Sequence, residues 1–228
     1  MQDKAVELYG GAMRTRLPLS FVDVSQYSVT PDHQEVYADQ NTECKLIFEL
    51  TERSTEVSKS QCASYFFNDL ATANGSSRSS ILSACSFEPR NKWMDVVTNH
   101  RVEFTQWSNF SKIVESMGFS ESAQSLDTLL SYPEFPYVPF PLVDSICHCV
   151  GEQEIKRLNG LHIVRVNMSV IRLAPPVNTD IIITLYSPRS IENCEQPITL
   201  LPDTEVDSIV KECLGHFQIV DWSLFVGV

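Results

Sequence analysis

Between Leu161 and Ile171 the chain alternates residue by residue, with Val164, Val166, Met168 and Val170 on one side and Arg165, Asn167 and Ser169 on the other. A two-residue period is that of a β-strand, whose successive side chains point to opposite faces; a helix repeats every ~3.6 residues and would scramble it. The pattern predicts one face in the core and one wetter face. Pro175-Pro176 and Asn178 then supply a turn into Asp180–Tyr186, whose Ile181-Ile182-Ile183 run reads as a second strand. Consecutive strands usually lie side by side, so the two form an antiparallel pair on which the remaining elements must be built.

Other segments extend this plan. Lys45–Leu50 reads as a strand with a nearly continuous apolar centre, Leu46-Ile47-Phe48. From about Thr55 to Ala73 the period becomes helical, with Cys62, Phe66 and Leu70 four apart, Ala63 and Phe67 alongside, and Gly75 as a stop. A last helix starts at a cap provided by Asp203 or Thr204 and runs to about Gly215, burying Val206, Ile209, Val210, Cys213 and Leu214; a strand at Phe217–Val220 follows. Gly10-Gly11 and Pro31-Asp32 break the first third into short strands. Residues from about 91 to 147 differ: Trp93, Trp107 and Phe110 stand in a Ser-rich stretch that ends in Pro133, Pro136, Pro139 and Pro141. Proline cannot continue a helix or sit in a central strand, so this stretch reads as an atypical insertion in a single domain spanning 1–228.

Charge excludes some functions. Lys and Arg total 17 against 29 Asp and Glu, a net charge of −12. Nucleic-acid binding relies on Lys and Arg neutralising phosphates, so an acidic chain without a basic stripe predicts no nucleic-acid partner. No apolar run is long enough to cross a bilayer, and the first residues lack a basic and then apolar leader, which predicts a soluble chain that is not secreted and does not insert into membranes. Seven scattered cysteines, an odd number, suit reduced thiols of a cytosolic or nuclear protein. On that reading the sequon Asn74-Gly75-Ser76 is idle.

The sequence has no phosphate-binding loop, no Gly-x-Gly-x-x-Gly, no Gly-x-Ser-x-Gly and no His-Glu-x-x-His, so no cofactor and no covalent chemistry are expected. Cys147-His148-Cys149 lacks the spacing of zinc pairs and reads as the start of a buried strand. The acidity is concentrated: from Asp23 through Asp32, Glu35 and Asp39 to Glu43 there is no Lys or Arg, and Glu49 and Glu52 follow. Asp32 and Glu35 would point the same way in a single helical turn. Glu49 and Glu52 fall on opposite faces of a regular strand and act together only if that strand ends or bulges near Leu50. An acidic surface also keeps a protein soluble, and composition alone favours that role.

Four segments, in order and spacing, carry a resemblance: Glu7-Leu8-Tyr9-Gly10-Gly11-Ala12, Phe21-Val22-Asp23-Val24-Ser25, Pro31-Asp32-His33-Gln34-Glu35-Val36-Tyr37 and Leu46-Ile47-Phe48-Glu49-Leu50-Thr51-Glu52. With Thr179–Ile183 and the closing Phe217–Phe225, they resemble the Ran guanine-nucleotide release factors, the Mog family, over about 6–90 and 149–228. The resemblance implies an α/β/α sandwich, a mainly antiparallel sheet of about six strands with helices on both faces. It implies binding of the GTPase Ran, release of its guanine nucleotide and support of nuclear protein import, by a monomer of nucleus and cytoplasm that is a regulator and not an enzyme. The family's acidic partner surface carries over onto Asp23, Asp32, Glu35, Glu49 and Glu52, while Gly10, Gly11 and Pro31 serve turns and Trp222 and Phe225 packing. The rival expectation is an adaptor on the same fold that holds another partner through Trp93, Trp107 and Phe110.

Overall fold

The computed structural model describes residues 2–27, 30–87, 143–157, 160–175, 177–192 and 199–225, apart from the Trp222 side chain. Its centre is a seven-stranded antiparallel sheet in the order β3-β4-β5-β9-β8-β7-β6. The strands are β3 (Phe21–Asp23), β4 (Gln34–Asp39), β5 (Lys45–Glu52), β6 (Ser76–Phe87), β7 (Val143–Arg157), β8 (Gly160–Leu173) and β9 (Thr179–Ile191). A second, three-stranded sheet joins β1 (Asp3–Leu8), β2 (Met13–Pro18) and the two-residue β10 (Gln218–Ile219). The α/β layering agrees with expectation, but the strands beyond six are distributed between two sheets. The N-terminal hairpin pairs with the chain's end instead of joining the large sheet.

The expected hairpin is β8–β9, paired from His162 opposite Ile191 to Arg172 opposite Asp180, with Asn178 in the left-handed conformation at its turn. Alternation along these strands sorts side chains into two cores. Val166, Met168, Val170 and Ile182 face helix α1 (Cys62–Ala73), which contributes Cys62, Ala63 and Phe67. Ile171, Leu173, Ile181, Ile183 and Leu185 face the other way, against helix α2 (Asp203–Gly215) and the small sheet. Just past the end of α1, Gly75 has a φ of +61°, which suits a residue without a side chain. Gly151 on β7 lets α1 approach: a Cβ there would lie 2.5 Å from the Phe67 ring and 2.6 Å from the Ser80 carbonyl oxygen.

Three expectations need correction. The supposedly wet face of β8 is buried, with Asn167 and Ser169 each 1% exposed. α2 covers it, and brings Asp203 and Asp207 onto Arg165, each pair at 2.6 Å, while Ser169 meets His148 at 2.8 Å. α2 itself begins after Pro202 without a side-chain cap, because the cap position falls on Pro202, which carries no acceptor, and Asp203 is already helical, its carboxylate engaged by Arg165 and Arg189. The segment expected to start at about 91 and end at 147 gives up residues 143–147 to β7; the rest, with Trp93, Trp107 and Phe110, lies outside the described residues. β6 and β7 flank it and pair as far as Phe87 opposite Ile146, so its two ends meet on adjacent strands.

One ion pair ties these layers together. Arg172 and Asp180, 1% and 0% exposed in their side chains, face each other across the β8–β9 turn. The guanidinium donates from Nε and Nη2 at 2.8 Å each to the two carboxylate oxygens, and from Nη1 to the Val57 carbonyl at 3.1 Å. The same carboxylate accepts from the Ser54 N–H at 3.1 Å. Removing one partner leaves a buried charge, so Arg172→Met is expected to cost about 3–5 kcal/mol in urea unfolding. The double change Arg172→Met/Asp180→Leu should recover much of that loss; equal destabilisation by both variants would refute this account.

Candidate functional site

The predicted carboxylates gather at one corner of the large sheet, where β3, β4 and β5 meet the turn after β1. Pro31 closes a turn by accepting from the Gln34 N–H at 2.9 Å, and β4 starts there. Asp32 is therefore exposed in a turn while Glu35 lies in a strand, so the helical turn that would have pointed the pair the same way does not form. Asp23 ends β3 opposite Tyr37, and its Oδ1 accepts from the Ser25 N–H at 2.8 Å. Ser25 Oγ accepts from the Val36 N–H at 2.9 Å, so this loop is bound to β4.

Register decides which acids share a face. Glu35 lies opposite Phe48 and so on the α2 side, together with Asp23 and Tyr37. Glu49 lies opposite Ile182 and so on the α1 side, with His33 Nε2 at 3.9 Å from its Oε1. β5 pairs with β9 without interruption as far as Glu52 opposite Thr179. No bulge brings Glu52 round to Glu49; it stays exposed on the Glu35 side, four residues or about 13 Å along the strand from Phe48. The structure thus brings Asp23 and Glu35 together, puts Glu49 behind them, and places Asp32 and His33 at the tip between the two faces. A partner can meet both sets only by gripping the corner.

Sequence reasoning missed Tyr9. It sits at φ +51° before Gly10 at +66° and Gly11 at +94°, a run of left-handed backbone that is uncommon for a tyrosine. Glu35 holds it there, because Oε1 accepts the Tyr9 N–H at 2.6 Å, and the Tyr9 hydroxyl donates to the His33 carbonyl at 3.1 Å. Glu35 Oε2 is buried without a partner. Burial first, and then the Asp23 charge, push the Glu35 carboxyl above the ordinary carboxylate range, against the lowering effect of the Tyr9 N–H. Burial and the Glu35 charge likewise push both Tyr9 and Tyr37 up, so both hydroxyls stay protonated. The only hint of this in the sequence was a large residue just before two glycines, 26 positions from the carboxylate it meets.

Elsewhere, strand alternation splits Cys147-His148-Cys149. The Cys147 thiol meets the Lys59 carbonyl at 2.6 Å, in the short 3-10 turn just before α1, and the Cys149 thiol the Ala63 carbonyl at 3.3 Å in its first turn, while His148 points to Ser169 on the opposite face. No group of three or more His, Cys, Asp or Glu among the described residues could hold a metal ion, and no described helix is long and apolar enough to cross a membrane.

With the fold and this corner defined, comparison with known proteins places the chain. The family model described as Ran-interacting Mog1 protein matches residues 6–188. The chain belongs to that family. A Dictyostelium discoideum relative named as a probable Ran guanine nucleotide release factor is 23% identical over 96% of this chain and 95% of its own length. The Danio rerio Ran guanine nucleotide release factor is 39% identical, but the match spans 29% of this chain and only 37% of the relative. The Saccharomyces cerevisiae Ran-binding protein Mog1p has the same fold, with a TM-score of 0.58, 19% identity and 99% of both chains covered.

The raised Glu35 carboxyl has a consequence for stability. The folded state holds this proton more tightly than the unfolded chain, so its contribution falls as pH rises from the unfolded carboxylate value through the higher folded one. Glu35→Gln keeps an acceptor for Tyr9 without the buried charge. Its melting temperature relative to the wild type should therefore be higher at pH 7 than at pH 4; an offset that is the same at both would show that burial of this charge carries no cost.

Proposed function

We propose that this chain binds the small GTPase Ran through the acidic corner and promotes release of its guanine nucleotide, in support of nuclear protein import. Membership of the Ran-interacting Mog1 family carries this reading, and the full-length similarity to the Dictyostelium relative supports it. Relatives from Saccharomyces cerevisiae and Schizosaccharomyces pombe bear the name nuclear import protein, which supports a place of work in nucleus and cytoplasm. Asp23, Asp32 and Glu49 are the direct contacts in this proposal, Glu52 extends them along β5, and Glu35 acts through Tyr9.

Release of nucleotide needs no bond-making by this chain. If it binds Ran more tightly with the nucleotide site empty than filled, linkage weakens nucleotide binding by the same factor. Carboxylates pairing with Lys or Arg of Ran supply that difference when those cations otherwise support the nucleotide; if they pair equally well in both states they only steer and hold. The corner suits either role, because Asp32 stands exposed between two acidic faces. A strand edge with acids on both sides can enter a concave basic surface that a single flat face could not.

The deciding experiment follows a fluorescent guanine nucleotide leaving purified Ran. Wild-type protein should accelerate release, and Asp32→Ala/Glu49→Ala should lose about 10-fold or more, the size expected from removing charge-assisted contacts of 1.5–3 kcal/mol (~). Both residues lie outside the core, so the variant should melt like the wild type. Slower release at saturating protein assigns the carboxylates to the exchange step; weaker binding with the same saturated rate assigns them to docking. No acceleration and no binding by the wild type would sink the proposal.

A further inference from the structure

α1 and β7 meet over a cluster of three cysteines. Cys62 opens α1, and its thiol turns back to donate to the Lys59 carbonyl at 3.3 Å. Cys147, on the face of β7 that receives α1, reaches the same oxygen at 2.6 Å. Two sulfurs on one oxygen can be no farther apart than those two distances together, and the Cys62 thiol also donates to Cys147. That donation holds the Cys147 thiol below its ordinary range, against the effect of burial, and pushes Cys62 up. The Arg172 charge favours a thiolate here and the Asp180 charge beside it opposes one; the N-terminus of α1 adds to the first. Both thiols are buried, at 0% and 1% exposed, yet their cover is thin. It is the 3-10 turn Lys59–Gln61, whose Ser60 and Gln61 face solvent. Cys149 stands apart. It lies two residues along β7, ~6.6 Å from Cys147, where a disulfide requires Cβ atoms ~3.8 Å apart. Its thiol is held by the Ala63 carbonyl and pushed up to about 12 by burial.

We propose that Cys62 and Cys147 form an oxidation-sensitive dithiol, which hydrogen peroxide converts to a disulfide that locks α1 to β7. The Cys147 thiolate attacks one peroxide oxygen and the O–O bond breaks. The departing oxygen takes up the proton that Cys147 gave up and leaves as water, and Cys147 becomes a sulfenic acid. The Cys62 sulfur then attacks the Cys147 sulfur: an S–S bond forms, the S–O bond breaks, and the hydroxyl leaves with the Cys62 proton as a second water. Two thiols have lost two electrons and one peroxide has gained them. A water-sized oxidant suits the site, because only one turn of backbone has to part to admit it. The product closes the chain between residues 62 and 147 into a loop, which removes freedom from the unfolded state and so stabilises the folded one. It also removes two buried thiols that compete for a single carbonyl. The inference does not rest on the Ran-binding reading, since neither cysteine belongs to the acidic corner.

The test treats the full chain with hydrogen peroxide at neutral pH, unfolds it in N-ethylmaleimide to cap the remaining thiols, and maps it by proteolysis without reductant. Expected is a pair of peptides joined through Cys62 and Cys147, lost again after dithiothreitol. The oxidised chain should melt about 5–15 °C above the reduced one. Cys62→Ala and Cys147→Ala should each abolish that rise, while Cys149→Ala keeps it. Poor folding of a variant does not blur the result, because the linkage is mapped on the wild type. The proposal is overturned if both thiols remain open to capping, or if either is linked instead to Cys149, to Cys85 or to a second chain. It is equally overturned if Cys147 runs on to the sulfinic acid without the bond, or if the bond forms and the melting temperature does not rise. Nucleotide release from Ran, measured in parallel, separates the two readings: a chain that forms the disulfide but never accelerates release counts against the acidic corner alone.

Discussion

The buried pair of Arg172 and Asp180 sits where three parts of the molecule converge: β8, β9 and the connection from β5 to α1. A charge taken out of water is tolerated only when paired and fully hydrogen-bonded, and this carboxylate accepts from both the guanidinium and the Ser54 N–H. The neighbouring connection is pinned again, because Asp144 on β7 takes Arg53 and Lys59, the latter at 2.7 Å. Residues 53–61 have no regular sheet pairing, so these side chains determine their path. α1 is then delivered onto Gly151, where the absence of a side chain admits Phe67.

The acidic corner lies at the same end of β5, where Thr51 stands opposite Asp180, Glu52 opposite Thr179 and Glu49 opposite Ile182. β5 runs beside β9 without a bulge, so its alternation is strict, and Glu49 and Glu52 separate onto opposite faces. The corner can still act as one surface because β4 lies next to the short edge strand β3, which leaves both faces reachable around the Asp32 turn. Glu35 differs from the other carboxylates there. One oxygen is spent on the Tyr9 N–H and the other is buried, so it shapes the corner through a left-handed turn more than it offers a free charge.

Much of this was legible in the residues. The alternation at 161–171 and the isoleucine run at 181–183 announced β8 and β9, and the four-residue spacing of Cys62, Phe66 and Leu70 announced α1, because each pattern follows from the geometry of a single element. The acid run pointed to the corner only in part, since Asp23, Asp32 and Glu35 meet there while Asp39 and Glu43 of the same run lie at the other end of β4. The same local logic failed for Arg165, Asn167 and Ser169, which look like a solvent face until α2 arrives with Asp203 and Asp207. It failed for Tyr9, whose partner is 26 residues away.

By itself, then, the sequence determined β5, the β8–β9 hairpin, the two apolar helix faces and the run of acidity, all of which depend on periods of two to four residues, while β6 and most of β7 carried no such signal. Only the tertiary structure decided that the N-terminal hairpin leaves the main sheet for the chain's last strand, that the polar face of β8 is buried, and that the five predicted carboxylates divide between two faces. The physical reason is register. A shift of one residue in strand pairing exchanges every side chain between faces, and register is settled by long-range contacts such as Glu35 on Tyr9, 26 residues away, and Arg53 on Asp144, 91 residues away, which no short window of sequence contains.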